Sequence, residues 1–210
     1  EAGNTVLMEL HSEEDIWKNI TSKNRNMIRK AEKNGIVIKN GFSKNLMKSF
    51  RVLYEATMDR DHAQKYYYFN DQFYESILAK AKDMAKIFYA EYEDKIISAS
   101  IILYSNGKMH YHLSGSDYSY RQYAPTNLLL WEAAKWGCRN GFRVFHLGGG
   151  VGGSKDSLYK FKKSFNRNSE NGFFIGKKVF DHEIYEELTR QAEKLAGTLK
   201  NNFFPEYRAF

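Results

Sequence analysis

The sequence is poor in cysteine and proline and has no long apolar run. Its 210 residues contain one cysteine, Cys138, and two prolines. A single cysteine excludes an internal disulfide and fits a reducing cytosol. No window reaches the roughly 20 apolar residues of a membrane-spanning helix. The first residues, EAGNTVLMEL, lack a charged segment followed by an apolar one. We therefore expect no transmembrane segment, no secretory signal and a cytoplasmic protein.

An initiator methionine, a Pro/Ser-rich linker and internal repeats are also missing from the sequence. Hydrophobic residues make up 42% of the chain and aromatic residues 16%, values typical of globular proteins. We expect one domain over residues 1–210, which is either trimmed or part of a longer protein. The net charge of +7, from 32 basic and 25 acidic residues, favours anionic partners such as phosphates, nucleic acid or a lipid surface.

The order of the predicted elements is typical of an α/β fold with a mixed sheet flanked by helices. Strands are predicted from the segments IVIKN, RVFHL and GFFIGKKVFD. Three more are predicted within 86–116, with a turn at Glu93-Asp94 and a hairpin at Asn106-Gly107. Apolar periodicity predicts helices over about 13–34, 43–58, 70–83 and 125–140, and an amphipathic helix in the tail. Residues 108–147 read as strand, crossover helix and strand.

The segment HLGGGVGGSKDSLYKFKKSF, residues 146–165, contains the spacing G-x-G-x-x-G at Gly148, Gly150 and Gly153. A dinucleotide site also needs an acidic residue about 20 positions later, where this chain has Phe173. A P-loop needs an adjacent Gly-Lys pair, which GGSK does not supply. Both nucleotide sites are therefore disfavoured, and a flexible loop is the simple alternative.

The residues after the glycines favour a charged site. Leu158, Phe161 and Phe165 have helical spacing, which predicts that they pack inward while Lys160, Lys162 and Lys163 project from exposed sides. A lysine beside bare backbone can stabilise negative charge on a reacting carbonyl or phosphate. A solvated basic helix is the alternative.

Basic and histidine residues elsewhere have both functional and structural interpretations. Arg60 lies in MDRDH, where the flanking Asp59 and Asp61 indicate a local ion-pair cluster. Arg25 and Arg29 are helical neighbours that clamp an anion or form a solvated face. His110 and His112 share one face of a strand, but no further ligand is spaced for a metal, so no metal site is expected.

Five segments in one order resemble the FemAB family of peptidoglycan-bridge aminoacyltransferases, which share the fold of GNAT N-acetyltransferases. They are SKNRNMIRKAEKNGI, LYEATMDRD, YAEYEDKIISASIILYSNGKMHYHLSGS, APTNLLLWEAAKWGCRNGFRVFHLGGG and DSLYKFKKSF. The resemblance covers essentially the whole chain. Family members usually carry a second, related half and often a helical arm, and neither is present here. The resemblance therefore implies either the C-terminal half of a longer, two-half protein or a compact relative.

The resemblance implies transfer of an aminoacyl group from aminoacyl-tRNA to an amine of a UDP- or lipid-linked muramyl peptide. It also implies peripheral contact with the membrane surface. The family's Phe-Lys pair matches Phe161 and Lys162, and the resemblance implies that the Lys162 ammonium stabilises the developing charge. If the match to the family's motif is shifted by one residue, Lys163 takes that role instead. Arg60 matches an arginine associated with the acceptor's phosphates, and Tyr111 matches a precursor contact.

Two loop segments bear on how the substrates bind. Gly149 and Gly150 are expected to let a substrate backbone approach the strand end. The usual glycine-rich CoA turn is replaced by RQYAPTN, in which Pro125 lacks an N–H donor. No cofactor is expected, and aminoacyl-tRNA is favoured over acetyl-CoA. A CoA-dependent N-acetyltransferase and a non-catalytic binding module remain alternatives, and no residue is indicated as a general base.

Overall fold

A seven-stranded mixed sheet forms the centre of the computed structural model, which describes residues 2–197 and 203–209. The strands lie in the order β2-β3-β4-β5-β6-β1-β7. Their bounds are β1 Gly3–Glu9, β2 Val37–Gly41, β3 Ala85–Tyr92, β4 Lys95–Ser105, β5 Lys108–Ser116, β6 Val144–Gly148 and β7 Asn171–Phe173. Strands β5 and β6 pair in parallel, and every other neighbouring pair is antiparallel.

Seven α-helices are described together with short 3-10 turns. They are α1 Glu13–Asn19, α2 Ser22–Lys33, α3 Lys44–Arg60, α4 Asp71–Lys80, α5 Pro125–Arg139, α6 Ser157–Lys163 and α7 His182–Ala196. The prediction of one helix over 13–34 is wrong. Ile20 is extended, and the Thr21 side chain accepts a hydrogen bond from the Asn24 N–H at 3.4 Å, so a new helix begins there.

The turn and crossover predictions in the middle of the chain are confirmed. Glu93 and Asp94 both have positive φ between β3 and β4, as do Asn106 and Gly107 between β4 and β5. Such pairs match the right-handed twist of a hairpin. Helix α5 connects β5 to β6, which lie side by side in parallel with His110 opposite His146.

Strand β1 was not predicted, because its residues were examined only as a candidate signal segment. It pairs with β6 on one side and β7 on the other. The predicted tail strand is wrong beyond its start, since pairing ends at Phe173.

Helices cover both faces of the sheet, as the α/β prediction requires. Alternate strand residues enter two cores: Phe88 and Ile102 pack with α2 and α5, whereas Ile87 and Ile101 pack with α3. The predicted GNAT-like arrangement of a mixed sheet with flanking helices is therefore confirmed.

The described chain divides into two compact units, residues 2–173 and the residues from Phe174 onward. The first contains the sheet and α1–α6. The second contains α7, whose Tyr185 ring stacks on Phe204 with centroids 5.9 Å apart. No helix within 2–197 or 203–209 combines the length and apolar character that crossing a membrane requires. A single domain over the whole chain stays a prediction.

Candidate functional site

Helix α6 presents one lysine to the interior of the first unit. Asp156 caps this helix by accepting from the N–H of Tyr159 at 2.8 Å, and its second oxygen accepts from the N–H of Val151 at 3.0 Å. Lys162 lies on the same face as the buried Tyr159 and is only 9% exposed. Of the three residues expected to pack inward, Phe165 is fully buried and Phe161 contacts the core, whereas Leu158 is 39% exposed. The expectation that Lys162 projects into solvent is wrong.

The Lys162 ammonium lies at the end of strand β6. Its Nζ donates to the Gly149 carbonyl oxygen at 2.7 Å and lies 6.0 Å from the centroid of the Tyr111 ring. Nζ is also 3.3 Å from the position that a Cβ would take on Gly148. Burial lowers the pKa of Lys162 to about 8, although the Asp156 carboxylate opposes the shift. The amine is therefore mainly charged at neutral pH, without a carboxylate in direct contact.

Two part-buried histidines lie beside this lysine on the paired strands β5 and β6. His110 Nδ1 and His146 Nδ1 are 2.9 Å apart, and their rings stack with centroids 5.0 Å apart. Burial, then the neighbouring histidines and the charge of Lys162, lower the pKa of His110 to about 4. Burial and Lys162 also lower the pKa of His146. Both rings are therefore neutral near pH 7.

His146 is a residue that sequence reasoning missed. His110 and His112 were considered only as a metal pair. The strand–helix–strand pattern over 108–147 implies that β5 and β6 are parallel neighbours. This pattern could therefore have predicted that His146 lies beside His110. Across residues 2–197 and 203–209, no group of three His, Cys, Asp or Glu side chains is arranged to hold a metal ion.

The other residues of the Phe-Lys-Lys segment have structural contacts. Phe161 packs against the core that contains Phe88 and Ile102, and its ring contacts that of Phe165 edge to face, with centroids 5.4 Å apart. Lys163 donates to the Ser169 carbonyl oxygen, away from the strand end. The structure therefore places Lys162, rather than Lys163, beside the glycine loop.

The glycines make room for the protein's own backbone. A Cβ on Gly149 would lie 2.5 Å from the Asn4 carbonyl oxygen, and one on Gly150 would lie 2.1 Å from that of Ser154. Both distances are too short for any side chain, so glycine is needed at both positions. Contact of this loop with a substrate stays a prediction.

Arg60 lies at a separate position, at the end of α3. Its Nε donates to Asp61 at 2.9 Å, and its guanidinium carbon lies 5.4 Å from the centroid of the Tyr118 ring. The ion pair expected as an alternative is present, but the guanidinium also lines an open groove of about 850 Å³. Val52 and Leu53 give this groove an apolar wall.

Arg25 and Arg29 have different partners and do not converge on one site. Arg25 donates to the carbonyl oxygen of Ile20 at 2.6 Å and to that of Trp17 at 3.3 Å, which closes the end of α1. Arg29 lies over the Trp17 ring, 5.2 Å from its centroid. A shared anion clamp stays a prediction that this geometry does not favour.

The segment that would hold CoA pyrophosphate begins helix α5 in an unusual way. Ala124 has a left-handed conformation, φ 54° and ψ 47°, and makes no side-chain cap. Pro125 occupies the first helical position and offers no N–H. Asn127 donates its backbone N–H to the Ala124 carbonyl oxygen at 3.2 Å, and its side-chain amide contacts the buried Asn24. Few amide donors are left there for a pyrophosphate.

Comparison with known proteins gives matches over most of the first unit. A family model described as acetyltransferase (GNAT) domain matches residues 21–163. The UDP-N-acetylmuramoylpentapeptide-lysine N(6)-alanyltransferase of Weissella viridescens is 30% identical over 175 residues, which are 80% of this chain and 50% of that protein. The chain therefore spans about half the length of this curated relative.

Solved structures show the same fold. The crystal structure of FemX matches with a TM-score of 0.66 and 15% identity, over 77% of this chain and 58% of that one. An aminoglycoside acetyltransferase, meta-AAC0020 from an uncultured soil metagenomic sample, matches with a TM-score of 0.52 and 14% identity, over 71% of this chain and 99% of that one. The resemblance to a FemAB-like member of the GNAT superfamily is confirmed, and the matched domain is an acyltransferase domain. On this combination of sequence match, sheet order and helix placement, the chain belongs to the family of acetyltransferase (GNAT) domains.

Proposed function

We propose that this chain carries the acyl-transfer site of a FemAB-type aminoacyltransferase. The donor is aminoacyl-tRNA, and the acceptor is an amine of a muramyl peptide linked to UDP or to a lipid. The observation that carries the proposal is the buried Lys162 ammonium, which a neutral carbonyl holds at the end of β6. The relative that is 30% identical transfers alanine to a lysine of a UDP-linked muramyl peptide, which supports this choice of substrates.

A cation at the end of β6 suits the chemistry of aminolysis. The acceptor amine attacks the ester carbonyl of the donor, a C–N bond forms, and negative charge develops on the carbonyl oxygen. Lys162 stabilises that oxyanion with a charged donor in a water-poor site, where it is most effective. The C–O bond to the donor then breaks, and the leaving oxygen takes up a proton from the attacking nitrogen.

The groove beside Arg60 fits the phosphate-bearing end of the acceptor. Lys95 lines it together with Arg60, and each forms an ion pair, Lys95 with Asp117 at 2.8 Å and Arg60 with Asp61 at 2.9 Å. The apolar wall of Val52 and Leu53 is suited to the non-phosphate part of the ligand. A nucleotide diphosphate or a lipid diphosphate could bind the same two cations. A lipid-linked acceptor would bring the protein to a membrane surface, and a cytoplasmic location fits a UDP-linked one.

The alternative function is a CoA-dependent N-acetyltransferase, for which acetyl-CoA is the donor. The start of α5, with Ala124 and Pro125 in place of a glycine turn, disfavours it. The experiment that separates the proposals is a thermal-shift and calorimetry panel at low and moderate salt with UDP-linked muramyl pentapeptide, acetyl-CoA and NAD. Saturable binding of the muramyl ligand alone supports the aminoacyltransferase and leads to a tRNA transfer assay. Binding of acetyl-CoA without a muramyl response would overturn it.

Replacing Arg60 by alanine should weaken binding of UDP-linked muramyl pentapeptide about 10- to 100-fold, the usual effect of losing a charged hydrogen bond to phosphate. Calorimetry measures the change, and added salt should shrink it. Arg139→Ala is the matched control, because Arg139 is also exposed and ion-paired, with Glu13 at 2.6 Å. Equal binding by the Arg60 variant and the wild type would remove this groove from the acceptor site.

The rate of transfer should fall as pH rises through about 8, the pKa of Lys162. Lysine is charged below its pKa and neutral above it, so the oxyanion loses its partner on the alkaline side. Single-turnover rates with bound substrates, measured between pH 6.5 and 9.5 (about half-unit steps), test this. The residual rate of Lys162→Ala should show no such decline. A wild-type rate that keeps rising past pH 9 would contradict the assigned role.

A further inference from the structure

Three of the chain's six histidines lie in a row that begins beside Lys162. The ring centroids of His146 and His110 are 5.0 Å apart, and those of His110 and His112 are 5.8 Å apart. The first two are part-buried, whereas His112 is exposed. The row therefore runs from the buried lysine at the end of β6 toward the surface of β5.

The hydrogen bond between the His110 and His146 rings requires that the two neutral rings have opposite tautomers. In the Nδ1–Nδ1 contact of 2.9 Å, one ring donates its Nδ1–H and the other accepts with a bare Nδ1. A neutral imidazole carries one N–H, so the donating ring has a free lone pair on Nε2 and the accepting ring has Nε2–H. The pair can thus take up a proton at one end and release another proton at the other.

The surroundings of the pair keep it neutral and therefore able to accept. Burial and the charge of Lys162 lower the pKa of both rings. The other groups around the lysine are committed elsewhere. Asp156 accepts from two backbone N–H groups, and burial raises the pKa of the Tyr111 hydroxyl. Among the groups described around Lys162, the histidine pair is the one with a free basic nitrogen.

We propose that His146 and His110 form a proton relay that carries the proton lost by the acceptor amine from the Lys162 site toward solvent at His112. This role rests on the proposed function, because aminolysis by an alkylammonium acceptor releases one net proton per amide formed. It also supplies the general base for which the sequence offered no candidate.

The relay is balanced in protons and charge. When His146 is the ring that donates its Nδ1–H, its Nε2 is bare and takes one proton from the ammonium of the acceptor. The resulting amine is the nucleophile. The Nδ1 proton of His146 moves to Nδ1 of His110, and His110 releases its Nε2 proton to water near His112. Exchange of ring protons with water restores the starting tautomers. The second proton of the attacking nitrogen goes to the leaving oxygen.

The test uses His146→Gln and His110→Asn, whose amides keep a polar atom in place but cannot carry a proton. The single-turnover rate should fall about 100-fold in each. Binding of UDP-linked muramyl pentapeptide and the melting temperature should stay near wild type, and added imidazole should restore part of the rate. His182→Asn, in the second unit, is the control and should be unchanged.

The outcomes separate the relay from the proposed function. Wild-type rates in either variant, or a loss of rate matched by an equal loss of binding, overturn the relay. If the wild type transfers no aminoacyl group from any tRNA, the proposed function fails by itself. The relay is then judged by ¹⁵N NMR of the free protein, which should show one protonated and one bare Nδ1 sharing a proton. Two Nε2–H rings without a shared proton would overturn it.

Discussion

Replacing Lys162 by alanine should lower the rate of acyl transfer by about 10²- to 10³-fold without unfolding the protein. This is the usual effect of removing one donor from an oxyanion site. Stability should be retained because the lowered pKa shows that the fold disfavours the buried charge, so its removal relieves a desolvation cost. Single-turnover transfer rates and thermal unfolding, measured on the same preparation, test both statements.

Lys160→Ala provides the matched control for this variant. Lys160 lies two residues earlier on the same short helix and is exposed, so its loss removes one positive charge without touching the glycine loop. Near wild-type transfer by the Lys160 variant combined with loss in the Lys162 variant assigns the effect to position rather than net charge. Equal rates in both variants would mean that Lys162 does not contact the reacting carbonyl.

Gly115→Ala should destabilise the protein by about 3 kcal/mol and lower its yield of folded material. Gly115 lies in β5 where helix α3 crosses it, and an added Cβ would lie 2.3 Å from the Tyr54 nitrogen and 2.4 Å from the Leu53 carbonyl carbon. Those are backbone atoms, which cannot rotate away as a side chain can. The helix or the strand must therefore shift, and the core around Phe50 and Tyr54 opens.

Urea unfolding measures this effect against Gly176→Ala as the control. Gly176 has no atom within 4 Å of an added Cβ and does not have a positive φ, so its replacement should change stability by less than about 0.5 kcal/mol. A midpoint for Gly115→Ala equal to that of the wild type would show that α3 does not pack on β5 this closely.

Local patterns in the sequence were sufficient for most of the sheet. Asp94, Asn106 and Gly107 favour their hairpin turns because Asp, Asn and Gly adopt positive φ more readily than other residues do. The apolar helix between β5 and β6 specifies a parallel crossover. Strand β1 had no such local mark, since its partners Val144–Gly148 and Asn171–Phe173 lie at the other end of the chain.

The burial and contacts of Lys162 could not be predicted from its local sequence. The local sequence does not distinguish Lys160, Lys162 and Lys163, and an apolar pattern based on Leu158 predicted all three to be exposed. Lys162 is buried because Tyr159, one residue later than expected, faces inward. Its partner is a backbone carbonyl, at Gly149, which no side-chain pattern can reveal. Arg60 was easier to place because its acidic neighbour is adjacent in sequence.

The position of β1 has a consequence for the order in which the protein assembles during synthesis. Within this unit, Gly3–Glu9 is the first strand to be synthesised, and the two strands that flank it in the sheet are the last. Val6 and Met8 are fully buried in the folded protein. They therefore stay exposed during synthesis until β6 and β7, more than a hundred residues later, have been made. Long-range closure of this kind slows folding. Translation pauses or chaperone binding before residue 173 should consequently affect yield more than the same events later in the chain.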